Sequence, residues 1–209
     1  MIKRALISVW DKTGLIELAA FLKSKNIEIV STGGTKSLLE KNKIDVTSVS
    51  NITGFGSIMD GRVKTLHPKI FGGILADRDN NKHLEDLKNI GSLEIDLVVV
   101  NLYPFVQEAI EKKLTLDDAI EFIDIGGPSM IRAAAKNNKN VIPLCDPKNY
   151  HSFMKDFDAC DGCFGVDKKL EYSIKVFELT SKYDSDIFTY LSSLEKKTER
   201  LPNKFNINV

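Results

Sequence analysis

Three cysteines, one tryptophan and six prolines are what this chain of 209 residues has least of. So few thiols cannot build the disulfide framework of a small secreted domain. Cys160 and Cys163 form one CxxC, in DACDGCFG, with no second ligand pair nearby. A structural zinc ion takes four ligands, so a loop with two free thiols is the better reading, and no metal site is expected. An excess of either charge is also missing, because 29 basic and 29 acidic residues cancel. No global field draws the chain to nucleic acid or to an anionic membrane, although a local basic site is not excluded. No apolar run approaches the roughly 20 residues of a membrane span. The apolar part of MIKRALISVW is too short for a signal peptide. A cytoplasmic protein without nucleic-acid or membrane partners is expected. G-x-G-x-x-G, H-E-x-x-H and G-x-S-x-G are absent, and with them the usual signals for dinucleotides, zinc proteases and serine hydrolases.

Hydrophobic residues make up 43% of the chain, enough for a substantial core. Their pattern is strand, loop and helix at βα spacing. Strands are predicted at Arg4–Val9, Asn26–Ser31, Asp45–Ser50, Ile95–Val100 and Asn140–Leu144. Helices are predicted at Leu15–Lys25, Lys36–Lys43, Asn81–Ile90, Phe105–Glu111, Leu116–Phe122 and Pro147–Phe157. This alternation implies an α/β protein with a parallel sheet and right-handed crossovers. The stretch Asn51–Ile74 lacks long periodicity and holds five glycines; irregular stretches of that length are often functional. Lys168–Lys196 is helical, with Leu170, Ile174 and Phe177 on one stripe and Tyr183-Asp184-Ser185 as a candidate break. Arg200–Val209 reads as an irregular exit.

Ligands of such sheets bind beyond the carboxyl ends of the strands. The loops there are WDKTG (Trp10, Asp11, Lys12), STGGT (Thr32, Gly33, Gly34, Thr35) and the start of NLYP (Asn101, Tyr103). STGGT suits phosphate but lacks the lysine and spacing of a Walker A loop, and by itself it is equally a helix cap. GRVKT adds Arg62, Val63, Lys64 and Thr65; arginine can clamp an oxyanion in a bidentate way, and lysine suits a point charge or proton transfer. His67, before a proline, reads as structural rather than catalytic. The stretch IDIGGPSMIRAAAKN delivers Asp124, then Ile125, Gly126 and Gly127, then a helix opened by Pro128. Amides at such a helix start favour an anion or a developing oxyanion. Lys136 closes the stretch, on a face shared with Ser129 and Arg132. Its plain alternative is a capped, alanine-rich helix with solvated Arg132 and Lys136. Taken together, these loops form a cation-rich pocket with one carboxylate. Such a pocket suits a phosphorylated small molecule and acid–base work.

ISVWDKTG, STGGT, GRVKTLHPKI-GGIL, DLVVVNLYPF and IDIGGPSMIRAAAKN, in that order, resemble the inosine monophosphate cyclohydrolase domain of the bifunctional purine biosynthesis family. That domain is the N-terminal part of AICAR formyltransferase/IMP cyclohydrolase. The resemblance covers nearly the whole chain to about residue 200. It implies a parallel-sheet, three-layer sandwich like that of methylglyoxal synthase, with C-terminal accessory helices. It implies a core over about 1–146, accessory helices over about 147–197, a cyclohydrolase domain over 1–199, and in 200–209 the start of a linker to a formyltransferase domain. It implies closure of 5-formamidoimidazole-4-carboxamide ribotide to inosine monophosphate and water, in an intertwined homodimer with no metal and no organic cofactor. Trp10–Lys12, Thr32–Thr35 and groups from Arg62–Thr65 are then expected at the 5′-phosphate. Asn101 and the Ile125–Gly127 amides are expected at the reacting groups. Asp124 and Lys136 are expected to handle protons, assisted by Lys64 and Tyr103; the family likewise has a catalytic lysine where Lys136 stands. Position 10 departs from the family, which usually has serine there, so either one hydroxyl contact to phosphate is missing or the backbone N–H suffices. Methylglyoxal synthase itself, on the same fold, does not share the RVKT and IDIGG motifs. A non-catalytic nucleotide-sensing module on that fold is the alternative of a different class; it would need no Asp124/Lys136 pair.

Overall fold

The computed structural model describes residues 1–112 and 114–194. Five strands, β1 (Arg4–Ser8), β2 (Glu28–Ser31), β3 (Thr47–Ser48), β4 (Leu97–Val100) and β5 (Ile142–Leu144), form one sheet in the order β3-β2-β1-β4-β5. Every neighbouring pair is parallel. The described helices are α1 (Leu15–Ser24), α2 (Gly33–Lys41), α3 (Val49–Thr53), α4 (Pro68–Leu75), α5 (Asn81–Asn89), α6 (Leu116–Glu121), α7 (Gly126–Lys136), α8 (Tyr150–Ala159) and α9 (Val166–Leu194). From β1 the chain winds outward to β3, then returns to the other side of β1 with β4. The reversal therefore falls between β1 and β4, which run in register from Ala5↔Leu97 to Ser8↔Val100. Connections leave these two strands in opposite directions, so a crevice opens at their carboxyl ends.

Strand side chains alternate between the two faces. Ala5, Ile7, Leu97, Val99, Ile142 and Leu144 join one core with Leu15, Leu18 and Leu22 of α1 and Phe153 and Phe157 of α8. Leu6, Val98 and Val100 are equally buried and belong to the other face, where α7 packs on β4 and β5 and against α4. Helices thus cover both faces, and the expected three-layer α/β sandwich with C-terminal helices is the observed one.

Several elements differ from the sequence reading, each for a local reason. Only Thr47 and Ser48 of the strand expected over Asp45–Ser50 pair; Ser48 Oγ accepts the Ser50 N–H at 3.3 Å and starts α3 instead. The stretch expected to be irregular contains α4. His67 Nδ1 accepts the Lys69 N–H at 3.1 Å as its cap, and Pro68 stands in the first turn. His67 is structural, as its context suggested. The helix expected from Lys36 begins at Gly33, and the one expected from Pro128 begins at Gly126. Pro128 is tolerated because first-turn amides have no intrahelical partner. The helix expected at Phe105–Glu111 is π-helical over Val106–Glu111, and the Leu114 N–H reaches back five residues to the Ala109 carbonyl at 3.1 Å. In α9 there is no break at Tyr183-Asp184-Ser185. The stripe of Leu170, Ile174 and Phe177 is exposed; Tyr172, Val176, Thr180 and Tyr183 face inward instead. The helical reading of residues 195–196 and the exit at 200–209 lie outside the described residues.

The chain divides into two units. The first, Met1–Tyr103 with Asp124–Thr180, holds the sheet, both helix layers and every expected site residue. The second comprises Pro104–Ile123 and the described residues from Ser181. Within it, the Phe105 and Tyr190 rings lie 5.5 Å apart, and the Tyr183 hydroxyl donates to the Phe122 carbonyl at 3.4 Å. The expected boundary near residue 146 does not coincide with this division.

Candidate active site

The crevice between β1 and β4 is closed below by Asn101. Its Oδ1 accepts the N–H groups of Trp10 at 2.6 Å and Asp11 at 2.9 Å, and its Nδ2 donates to the Asp11 carbonyl at 2.9 Å. These bonds tie the loop after β1 to the end of β4. They engage the amide oxygen, so a contact from Asn101 to a ligand would come from Nδ2. Thr35 is a brace in the same way. Its buried Oγ1 accepts the Val9 N–H at 3.1 Å and donates to the Val9 carbonyl at 3.0 Å. Asp11 Oδ1 accepts the Thr13 N–H at 2.8 Å, so this carboxylate closes its own turn. The Thr13 hydroxyl and N–H hold its pKa below the usual value.

Lys12 sits over this frame. Its Nζ donates to the Val9 carbonyl, and lies 3.3 Å from both the Trp10 carbonyl and Thr35 Oγ1. Burial pushes its pKa below the ordinary lysine value; Asp11 opposes that, and the Lys64 charge adds to it. Next to it, Gly33 and Gly34 begin α2 in the open, and a Cβ on either would meet nothing within 4 Å. Gly33 has φ +54°, a conformation that glycine adopts without strain. An exposed helix start beside a cation is a place for phosphate.

On the other side of the crevice, Asp124 precedes α7. Its Oδ1 accepts the Gly127 N–H at 2.9 Å. Burial raises its pKa above the usual carboxylate value, against the Gly127 and Gly126 N–H groups and the Lys64 charge, which lower it. The Gly126 and Gly127 amides thus face the Asp124 carboxylate. Ile125 is exposed, and its carbonyl accepts from Ser129. Thr65 is buried, with Oγ1 3.0 Å from where a Cβ on Gly126 would stand. Burial, then the Asp124 charge, raises the Tyr103 pKa above 10.0. The Tyr103 ring lies 4.4 Å from that of Trp10, tilted by 37°.

Lys12, Lys64, Asp124, Tyr103 and Trp10 thus share one neighbourhood, with Lys64 felt by both Lys12 and Asp124. Arg62 and Val63 stand at the edge of it. Arg62 is exposed, and Val63 bridges to Ile58 around a tight loop in which Met59, Asp60 and Gly61 all have positive φ. Lys136 is not brought in. It is exposed at the last turn of α7, ten residues beyond Gly126, roughly 15 Å along the helix at 1.5 Å per residue. Tyr150 was not singled out from the sequence. It is buried beneath the WDKTG loop, its ring 3.4 Å from where a Cβ on Gly14 would stand. No motif announces it, because its place depends on how α8 packs.

Among the described residues, no helix is long and apolar enough to cross a membrane, and no group of three or more His, Cys, Asp and Glu could hold a metal ion. Two family descriptions match the chain: MGS-like domain over residues 14–129, and AICARFT/IMPCHase bienzyme over residues 134–209. The bifunctional purine biosynthesis protein PurH of Leptospira biflexa is 51% identical over 191 residues, which is 91% of this chain and 37% of that protein. PurH of Fusobacterium nucleatum is 53% identical over 91% of this chain and 38% of its own length. PurH of Brachyspira hyodysenteriae is 48% identical over 100% of this chain and 41% of its own length. The chain therefore spans about two fifths of the curated relatives it matches. Among solved structures, the crystal structure of ForH superposes with a TM-score of 0.78 at 32% identity, covering 90% of this chain and 97% of that one.

Proposed function

We propose that this chain, which belongs to the MGS-like domain family, serves purine biosynthesis as an inosine monophosphate cyclohydrolase. The observation that carries this reading is the convergence of Lys12, Lys64, Tyr103 and Asp124 at the β1/β4 crevice. The likeness to PurH proteins over 91% of the chain supports it.

The substrate is 5-formamidoimidazole-4-carboxamide ribotide. Its carboxamide nitrogen attacks the formyl carbon, a new N–C bond forms, and the formyl oxygen leaves as water. One proton comes from the carboxamide nitrogen and one from the formamido nitrogen, and both end on the departing oxygen. An amide nitrogen is a weak nucleophile, so orientation and proton transfer dominate the barrier. The start of α2 and Lys12 hold the 5′-phosphate. Asp124, a carboxyl group whose pKa burial raises above the usual carboxylate value, exchanges protons with the reacting nitrogens. Lys64, whose charge reaches both Lys12 and Asp124, relieves charge on the formyl oxygen. Tyr103 donates to the leaving oxygen, and its ring with Trp10 walls the crevice.

Lys136 joins this chemistry only from a second copy of the chain, because its own helix carries it away from Asp124. A homodimer is therefore part of the reading. The formyltransferase region of the longer relatives is the natural partner domain, and ring closure alone is assigned to the residues described here.

Incubating the purified chain with the formamido ribotide, and following purine absorbance, tests this. Closure by the wild type, with loss in Asp124→Asn and in Lys64→Met, is expected. Tight binding of inosine monophosphate without any closure would show a nucleotide-binding module and end the enzymatic reading.

A further inference from the structure

A second cleft, of about 290 Å³, opens at the amino ends of the strands, away from the site just described. Arg78 from the segment after α4, Lys139 from the segment after α7 and Lys169 from the first turn of α9 all line it. Ile2, Ile142 and Phe164 give it apolar walls. Three cations from separate parts of the chain therefore meet in one depression.

The carboxylates nearby are already committed. Asp96, 6% exposed, accepts the Lys3 and Arg4 N–H groups on Oδ2 at 2.6 and 2.8 Å, and Arg78 Nη1 on Oδ1 at 2.7 Å. Arg78 Nη2 donates to the Ile95 carbonyl at 3.0 Å, and its Nε is buried without any hydrogen-bond partner. Lys139 pairs with Asp79 at 2.5 Å, with Asp77 at 4.0 Å beyond it. Lys169 is different. Its Nζ donates to the Lys139 carbonyl at 2.9 Å, and among the described residues it forms no ion pair. Burial and the neighbouring Arg78 push its pKa below the ordinary lysine value, while Asp96 and Cys163 act the other way. Arg78, partly exposed and held by Asp96, which also lines the cleft, and the half-buried Lys169 are thus neighbouring cations, and Lys169 has no carboxylate of its own among the described residues. Such an arrangement is relieved by an anion, and a cleft with apolar walls strengthens that attraction.

We propose that this cleft is a second binding site, for the phosphate group of a small metabolite or for free phosphate. Lys169 is its principal ligand, and Arg78, locked by Asp96 and the Ile95 carbonyl, is its fixed charge. The volume admits a phosphate with a small attached group and falls below the size of ordinary drug-sized pockets.

Cys163 lines the cleft and is exposed, so its thiol reports on occupancy. The full chain is alkylated with neutral iodoacetamide, and modification at Cys163 is followed by mass spectrometry. Inorganic phosphate and ribose 5-phosphate are compared with chloride at equal ionic strength, which controls for screening. Slowing of Cys163 modification by at least threefold at about 10 mM of either anion is expected. It should be lost in Lys169→Gln and kept in Lys169→Arg, each variant checked by circular dichroism. Trp10 fluorescence on adding inosine monophosphate should stay as in the wild type. Stronger protection by ribose 5-phosphate assigns the site to a sugar phosphate; equal protection assigns it to free phosphate. Absence of protection by both, or protection unchanged in folded Lys169→Gln, would overturn the site. If Lys169→Gln does not fold, loss of protection in Lys169→Arg does so instead.

Discussion

Gly127 donates its N–H to Asp124 Oδ1 at 2.9 Å, and the same carboxylate fills the space in which a side chain at residue 127 would begin. A Cβ there would stand 3.1 Å from Asp124 Cγ and 3.2 Å from Leu102 Cδ2, and closer still to Asp124 Oδ2. The glycine is thus required by the position of the Asp124 carboxyl, not by its own backbone angles.

Gly127→Ala must displace Asp124 or tilt the start of α7. Overpacking of this kind typically costs about 1–3 kcal/mol. Ring closure is expected to fall at least tenfold, with a measurable drop in Tm. Wild-type turnover in Gly127→Ala would show that Asp124 need not stand where it does.

Asp124 should oppose stability at neutral pH. Its pKa in the folded chain is raised above 3.8, so the folded state binds more protons than the unfolded one between 3.8 and the raised value. Through that window stability falls as pH rises, and above it the deficit is full. Asp124→Asn, which can still accept the Gly127 N–H, should raise Tm at pH 7 and leave it little changed at pH 3, while closure drops about 100-fold. The acid limb of kcat/KM in the wild type should lie above the ordinary carboxylate range. Thermal melts of both proteins across pH decide the first part, and a pH–rate profile the second.

Trp10 is the sole tryptophan of the chain, and its ring lies 4.4 Å from that of Tyr103, tilted against it. Its backbone N–H, not its ring, is what Asn101 grips. Adding inosine monophosphate should therefore change the intrinsic fluorescence, and Tyr103→Phe should keep that response. Trp10→Ser should shift KM by no more than about fivefold, since the gripped N–H remains and a bare aromatic wall contact is worth about 1 kcal/mol. A KM change of 100-fold would mean that the indole contacts substrate directly.

Asp124→Asn and Lys136→Ala are each expected to be inactive. Mixed, refolded and reassociated, they should recover about one quarter of wild-type closure, because half of the dimers then carry one intact site of two. No recovery beyond either parent would place Lys136 with its own Asp124, or outside the reaction altogether.

Much of this was legible because it depends on near neighbours in the chain. The parallel sheet follows from short apolar strands alternating with amphipathic helices. The position of WDKTG, STGGT and NLYP at strand ends follows from that alternation alone. His67 as a helix cap needs only the proline beside it. What was not legible is of another kind. Lys136 stands twelve residues from Asp124, yet a helix between them turns that short separation into a long distance within one chain. Asn101, Thr35 and the Gly127 amide have the right chemistry for a ligand, and each is also engaged by hydrogen bonds within the chain that the sequence does not show. The stripe of Leu170, Ile174 and Phe177 is as apolar as a core face, and the packed face is nevertheless the one with Tyr172 and Val176.

The order of apolar and polar residues by itself determined that this chain makes a parallel α/β sandwich and which loops share its active end. Tertiary structure alone decided which polar groups there remain available, because a hydrogen bond between residues 91 apart, such as that from Trp10 to Asn101, leaves no local trace. It alone decided the second cleft too, since Arg78, Lys139 and Lys169 become neighbours only when the segments after α4 and α7 and the start of α9 converge at the same end of the sheet.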